Sequence, residues 1–289
     1  MTTPDIATFT ASDGYRFYVR RYFPDGMPRG RVVLLHGIRS HGGWYERSCR
    51  QLRDAGYEVH FLDRRGCGWN TARRGDCPGF RRLIDDVAEY VFELRGTRAF
   101  LPTFLAGISW GGKVALGVPI RRPGLVEGVM LLCPGLTPKV GPSLPRRLRV
   151  LLARLLRPER SFPIPLNDPE LFTDSDHWQR YVSEDRHGLT EATARFLVES
   201  ARFDVYLKWT ARRVTVPVLL MLAGRDKVLD NAKTRRYLSR LTGSKSLSVV
   251  DYPDAAHTLE FEGPDHPFVA DMVRWMAKFR AGRVSDGPC

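Results

Sequence analysis

Gly107-Ile108-Ser109-Trp110-Gly111 sets a serine between two glycines, directly after the apolar run Phe104-Leu105-Ala106 and before a helical pattern. In that setting a G-x-S-x-G marks a nucleophile on a tight strand-to-helix turn. A β-carbon at the flanking positions would clash there, and the serine takes a strained backbone conformation that pushes its hydroxyl outward. A serine hydroxyl is a weak nucleophile until a base removes its proton, so an imidazole is required on a later loop. His257 is the preferred base. It follows the strand-like run Ser246 to Asp251 and the turn Tyr252-Pro253-Asp254, and its neighbours Ala255 and Ala256 are small. His266, between Asp265 and Pro267, is the competing imidazole and reads as a residue at a helix start. The base in turn needs a carboxylate that fixes its tautomer and steadies the imidazolium. Asp226, directly after the run Val218 to Ala223, is assigned that role, while its rival Asp230, ahead of Asn231-Ala232-Lys233, is assigned to capping a helix. A tetrahedral intermediate also needs two donors for its oxyanion. The backbone amide of Trp110 is one, and that of Ile38, closing His36-Gly37-Ile38, is the other.

These residues must be carried by elements that end at one rim. Short β-branched and apolar runs alternate with Gly-rich turns and helical patterns, which predicts a mostly parallel sheet covered by helices. The expected strands are Arg16 to Arg21, Val32 to His36, Glu58 to Leu62, Thr103 to Ile108, Val126 to Leu132, Val218 to Ala223 and Ser246 to Asp251. The expected helices are Trp44 to Ala55, Arg81 to Leu94, Lys113 to Val118, Asn231 to Leu241 and Pro267 to Ala281, with Pro119 ending the third early. The rhythm stops after Cys133 and resumes at Val218. Between them, residues 136–213 are rich in proline and carry two amphipathic stripes, one of Leu148, Leu151, Leu152 and Leu155, the other of Ala194, Leu197, Val198, Ala201 and Val205.

Of the 289 residues 43% are apolar, ample for one large core or for a core with an insertion. No run approaches the ~18 to 20 apolar residues of a membrane-spanning helix. Residues 1–13 lack the basic start and apolar run of a secretory signal, so a cytoplasmic protein is expected. Cys49, Cys67, Cys77, Cys133 and Cys289 form no C-x-x-C pair and have no histidines at zinc-ligand spacing, so reduced thiols and no metal site are expected. The net charge is +13, and 38 of the 45 basic residues are arginine. They are spread along the chain without a basic and aromatic nucleic-acid motif, so no nucleic-acid partner is expected.

The run Leu34-Leu35-His36-Gly37-Ile38-Arg39-Ser40-His41-Gly42-Gly43-Trp44-Tyr45, the run Asp63-Arg64-Arg65-Gly66-Cys67-Gly68, the Ser109 turn, Asp226 and His257 together resemble the monoacylglycerol lipase and lysophospholipase branch of the α/β-hydrolases. The chain order Ser, Asp, His is the one that family uses. The resemblance covers nearly the whole core, while residues 136–213 match only in place and length. It implies an α/β fold with a mostly parallel, roughly eight-stranded sheet, core parts at 1–135 and 214–289, and a helical cap inserted at 136–213. It also implies no cofactor and hydrolysis of carboxylic esters, often of glycerolipids, through an acyl-enzyme. The same machinery serves thioesterases, amidases and acyltransferases, and a binding protein that has lost turnover is the reading from another class.

Relatives commonly carry G-H-S-M-G and an acidic residue before the second histidine of the early loop, where this chain has Ile108, Trp110 and Ser40. Trp110 therefore reshapes the acyl pocket, and His41 reads as structural or alcohol-side. Asp63-Arg64-Arg65-Gly66 reads as a scaffold loop held by its own ion pairs. Arg146 to Arg157 is a basic amphipathic helix with two readings, a lid helix packed on the core with solvated arginines or a helix lying on an anionic lipid surface. Trp178, Tyr181, Phe196, Phe203, Tyr206 and Trp209 either line an acyl pocket or build a small core.

Overall fold

The computed structural model describes residues 3–281. The first half of the chain runs β1 (Asp5–Thr10), β2 (Arg16–Tyr22), β3 (Arg31–Leu35), α1 (Glu46–Asp54), β4 (Glu58–Leu62), α2 (Phe80–Thr97), β5 (Thr103–Ile108), α3 (Gly111–Arg121) and β6 (Gly128–Leu132). Then come α4 (Leu144–Leu156), β7 (Ser161–Pro163), α5 (Asp176–Glu184), β8 (Glu191–Thr193) and α6 (Ala194–Thr210). The core resumes with β9 (Val218–Ala223), α7 (Asn231–Leu238), β10 (Leu247–Tyr252) and α8 (Phe268–Ala281).

Eight strands form one sheet in the order β1-β2-β4-β3-β5-β6-β9-β10. From β4 to β10 every pairing is parallel, and β1 and β2 add an antiparallel edge. The central strands β3, β4, β5, β6 and β9 are buried along their whole length, as a parallel sheet covered on both faces requires. Alternation sorts their side chains. Val33 and Leu35 join the core under α2, α3 and α6, while Val32 and Leu34 join the core under α1 and α8. β7 and β8 pair with each other, outside the main sheet.

Three local features depart from the sequence expectations. β1 is a strand the pattern did not signal. It is largely exposed, and its strand character comes from its register on β2, Asp5 opposite Arg21 through Thr10 opposite Arg16. Pro119 does not end its helix, because α3 runs on to Arg121. A proline so near the helix end removes one late hydrogen bond, and every residue of α3 from Gly111 to Ile120 is buried, so packing outweighs that loss. Gly42–Tyr45 forms a 3-10 turn capped by His41, and α1 begins only at Glu46.

Many arginines are architectural. Arg20 pairs with buried Asp63 at 2.9 Å, Arg31 with Glu58 at 3.0 Å, and Arg65 with Asp86 and with Asp13 at 2.9 Å. The Asp63–Gly66 loop is therefore pinned by partners elsewhere in the chain and not by its own ion pairs. No described helix is long and apolar enough to cross a membrane. Cys49, Cys67, Cys77 and Cys133 are free thiols, and Cys289 lies outside the described residues.

Candidate active site

The loops after β3, β5, β9 and β10 meet beyond the carboxyl ends of the strands, where open parallel sheets bind their ligands. Ser109 heads the turn between β5 and α3 with φ 49, a left-handed conformation that costs a non-glycine residue about 1 kcal/mol or more. The turn is too tight for side chains on either flank. A β-carbon on Gly107 would stand 2.6 Å from Gly112 Cα, and one on Gly111 would stand 2.3 Å from the Leu35 carbonyl oxygen.

The structure brings Ser109, His257 and Asp226 together. His257 Nε2 lies 3.0 Å from Ser109 Oγ, and His257 Nδ1 lies 2.8 Å from Asp226 Oδ2. All three residues are buried. The other carboxylate oxygen of Asp226 accepts the N–H groups of Val228 at 2.8 Å and Leu229 at 2.9 Å. Burial opposes the Asp226 charge, but His257 and those two amides outweigh it and leave the carboxyl below its ordinary range. An ionised Asp226 facing Nδ1 holds the imidazole with Nε2 free to accept a proton from the serine. The rivals lie elsewhere. Asp230 caps α7 by accepting the Lys233 N–H at 2.9 Å, and the His266 ring packs against Tyr252 and Phe268.

Ile38 and Trp110 line the same cavity as Ser109, and their backbone N–H groups donate to no partner among the described residues. Two free amides beside a nucleophile are what an oxyanion requires. The loop carrying Ile38 is held by His36, whose Nδ1–H donates to the Gly37 carbonyl at 2.7 Å while Nε2 accepts the Arg64 N–H at 2.8 Å. Burial, helped by Arg64, pushes His36 down to about 3, so it is a neutral fixture.

Two contacts that the sequence did not reveal tie this loop to the segment between β6 and β9. Buried Arg39 donates to the carbonyls of Leu166 at 3.2 Å, Asn167 at 2.8 Å and Val182 at 2.9 Å. His41 Nε2 lies 3.1 Å from Asp185, which also accepts the Trp44 indole N–H at 2.7 Å. Burial opposes the Asp185 charge, yet His41 and Trp44 pull the carboxyl down to about 2. His41 is thus a strut.

Trp110 turns its ring toward Phe196 at 5.4 Å and Phe203 at 6.2 Å, with the Arg64 guanidinium 4.6 Å over it. It walls one side of a cavity of about 790 Å³ that opens from Ser109 beneath the segment joining β6 to β9. Ile38, Val150, Ile164, Leu197 and Val198 line it. Of the aromatics singled out in the sequence, Tyr206 lines the cavity, Phe196 and Phe203 are core, Trp178 and Tyr181 pack with Phe261, and Trp209 is exposed.

Among the described residues one group has the spacing to share an ion, Cys133, Asp226 and His257, whose ligand atoms lie within 4.8 Å of one another. Its members are already committed. Asp226 and His257 bond each other, and burial holds the Cys133 thiol well above its ordinary range, where it is a poor ligand.

The sequence model of the family described as serine aminopeptidase, S33, matches residues 26–264. The monoglyceride lipase of Homo sapiens is 26% identical over 264 residues, 90% of this chain and 86% of that protein. The monoacylglycerol lipase of Mycolicibacterium smegmatis is 26% identical over 271 residues, 92% of this chain and 94% of that protein. Among solved structures, a soluble variant of the monoglyceride lipase of Saccharomyces cerevisiae in complex with a substrate analog superposes with a TM-score of 0.83 at 19% identity, over 96% of each chain. That likeness establishes an α/β-hydrolase fold.

Proposed function

This chain belongs to the serine aminopeptidase S33 family of α/β-hydrolases, and on that premise we propose that it hydrolyses carboxylic esters of lipid type through Ser109, His257 and Asp226. The observation that carries the reading is the unbroken path Asp226–His257–Ser109, with steps of 2.8 Å and 3.0 Å, opening on a large apolar cavity. In this reading Ser109 Oγ attacks the ester carbonyl while His257 takes its proton, and Asp226 stabilises the imidazolium that forms. The amides of Ile38 and Trp110 hold the oxyanion. The tetrahedral intermediate collapses as His257 returns the proton to the departing alcohol, and water then cleaves the acyl-enzyme by the same steps in reverse roles. The names of the relatives, monoglyceride and monoacylglycerol lipases, support a glycerolipid ester as the substrate class.

Residues 136–213 act as the cap in this proposal, with 1–135 and 214–289 as the two parts of the core. Its helix α4 supports the lipid-surface reading. Leu144, Leu148, Leu151, Leu152, Leu155 and Leu156 are all exposed, Leu155 at 81%, and Arg146, Arg147, Arg149, Arg154 and Arg157 lie among them. An apolar face flanked by arginines suits the interface of an anionic bilayer, and the protein is then peripheral to a cytoplasmic membrane surface.

The test is labelling with a fluorophosphonate, which traps an activated serine, alongside turnover of an ester series of rising acyl length. Wild type should label and hydrolyse. Ser109→Ala should abolish labelling, and His257→Ala and Asp226→Asn should each cut turnover by about 10⁴-fold or more. Labelling that persists in Ser109→Ala removes the nucleophile, and an unlabelled wild type favours a hydrolase-fold binding protein.

A further inference from the structure

The wall of the cavity is apolar along Val140, Val150, Ile164, Leu166, Leu197 and Val198. Arg146, Arg147 and Arg202 also line it but are engaged by the carbonyls of Pro163 and Pro142 and by Glu199, and one oppositely charged pair faces it besides. Lys113, on the first turn of α3, and Asp204, on α6, both line the cavity, with Nζ and Oδ1 2.6 Å apart. The Lys113 side chain is only 5% exposed, whereas that of Asp204 is 43% exposed. Burial nevertheless raises the Asp204 pKa against the pull of Lys113, and Asp204 lines both this cavity and a neighbouring cleft shared with Lys208, Arg236 and Tyr237, so its carboxylate is within reach of a ligand in the cavity. Ser200 continues the polar strip. Its Oγ accepts the Trp110 indole N–H at 2.9 Å and lies 3.5 Å from Lys113 Nζ. Donors and acceptors therefore run without a break from Trp110, beside the nucleophile, to Asp204. Apart from Lys113, Asp204 has no polar partner among the described residues.

A strut between α3 and α6 is the plainer account, but those helices are already joined by Trp110 against Phe196 and Phe203, and a buried ion pair is a poor way to add stability. A plain alkyl chain drawn along this wall would strip water from the open oxygen of Asp204 and return no hydrogen bond. The chemistry of the pair selects what replaces that water. A carboxylate would meet the Asp204 charge and an ammonium would meet Lys113, whereas a hydroxyl donates to Asp204 and accepts from Lys113 or Ser200 at once. We propose that Lys113, Ser200 and Asp204 form a subsite for a hydroxyl group on the acyl chain, so that the preferred substrates are esters of hydroxylated acids. This rests on the ester-hydrolase reading and adds the identity of the acyl group.

The experiment uses p-nitrophenyl esters of one saturated chain length, unsubstituted or with a single hydroxyl moved carbon by carbon along the chain. They are assayed on the full-length wild type and on the double variant Lys113→Met, Asp204→Leu, whose apolar pair keeps α3 and α6 in contact. At one hydroxyl position wild-type kcat/KM should exceed that of the plain ester by at least about tenfold, because a site built to bond a hydroxyl discriminates against its absence. The double variant should lose that advantage, its kcat/KM for the hydroxylated ester falling to its value for the plain ester. Equal wild-type kcat/KM for plain and hydroxylated esters at every position overturns the subsite and leaves the hydrolase standing, as does a double variant that keeps the preference. Failure of wild type to hydrolyse any ester of the series overturns the ester reading itself. The wild-type series decides the proposal even if the double variant does not fold.

Discussion

Helices α4 and α6 lie against each other, yet their apolar surfaces meet different surroundings. On α6, Phe196, Phe203 and Leu207 are buried in the core under α2 and α3, and Phe203 stacks on Phe80 at 5.1 Å. A second face, Leu197, Val198, Ala201 and Val205, lines the cavity. α4 buries only Val150 and Ala153, against Phe162 and Ala194, and leaves its leucines exposed, Leu151 beside the cavity and the others outside its lining. Periodicity therefore establishes that a helix has an apolar stripe and leaves open what covers it. On α6 the stripe of Ala194, Leu197, Val198, Ala201 and Val205 faces the cavity for most of its length, while the aromatic face between its members holds the core. A stripe left uncovered, whether toward a cavity or toward solvent, is a surface available to an apolar ligand.

The comparison breaks first if α6 is not core. Phe203→Ala removes a fully buried ring and should cost about 3 to 5 kcal/mol of stability, read as a lowered midpoint in urea denaturation with an unchanged slope. A cost below about 1 kcal/mol would show that α6 is loosely held.

Buried acids sharpen the contrast between covered and uncovered groups. Glu199 on α6 is satisfied by Arg202 at 2.6 Å and by the Phe80 N–H at 3.2 Å. Glu260, in the 3-10 turn after His257, accepts the Ser48 N–H at 3.2 Å with one oxygen, while its other oxygen is buried without a partner. Burial, only partly offset by Ser48 and Arg47, raises Glu260 from 4.5 to about 7. An acid whose folded pKa is raised keeps its proton in the native state. Below 4.5 it therefore exerts no ionisation penalty, and the penalty grows as pH rises toward about 7, where the unfolded chain ionises more readily. Glu260→Gln should gain stability relative to wild type between pH 4.5 and pH 8, by up to about 3 kcal/mol. A difference that stays flat across this range would mean that Glu260 is ionised and paired in the native state.

What the sequence made legible follows the range of the interactions involved. β5, β6 and β9 are continuous apolar runs ended by turns, so their carboxyl rims, and with them Ser109 and Asp226, could be placed from neighbouring residues alone. His257 was legible for the same reason, from the turn after β10. Arg39 was not, because the carbonyls it serves lie 127, 128 and 143 residues further on. Asp204 gave no signal either, since its meaning depends on a lysine 91 positions earlier across a helix interface. Lys113 did leave a trace, as the charged residue opening an otherwise apolar helix, Val114 to Ile120. β1 escaped because an exposed edge strand has little apolar pattern, and its identity lies in its partner.

Filling the cavity-facing stripe of α6 tests whether that surface receives substrate. Val198→Phe adds bulk inside the cavity, away from the buried face of the helix. It should lower kcat/KM for long-chain esters by about 10-fold to 100-fold and leave acetyl and butyryl esters nearly unchanged, because lost chain contacts are worth about 1 to 3 kcal/mol. A uniform loss over all chain lengths would place the acyl group elsewhere.

The smallest effect on stability is expected on α4. Leu148→Gln, Leu152→Gln and Leu155→Gln together replace side chains that are 60%, 58% and 81% exposed, so each should change stability by no more than about 0.5 kcal/mol. Turnover of a short, water-soluble ester should also be unaltered, since none of the three lines the cavity. Binding to vesicles rich in anionic lipid should fall sharply, and hydrolysis of a lipid ester presented in those vesicles should fall with it, because the buried apolar area that holds an interfacial helix has been removed while its arginines remain. If the triple variant melts several degrees lower, the leucines are covered by protein in solution and α4 resembles α6 after all. If it binds vesicles as wild type does, the arginines alone account for the attraction, and a high-salt wash should then release both proteins equally.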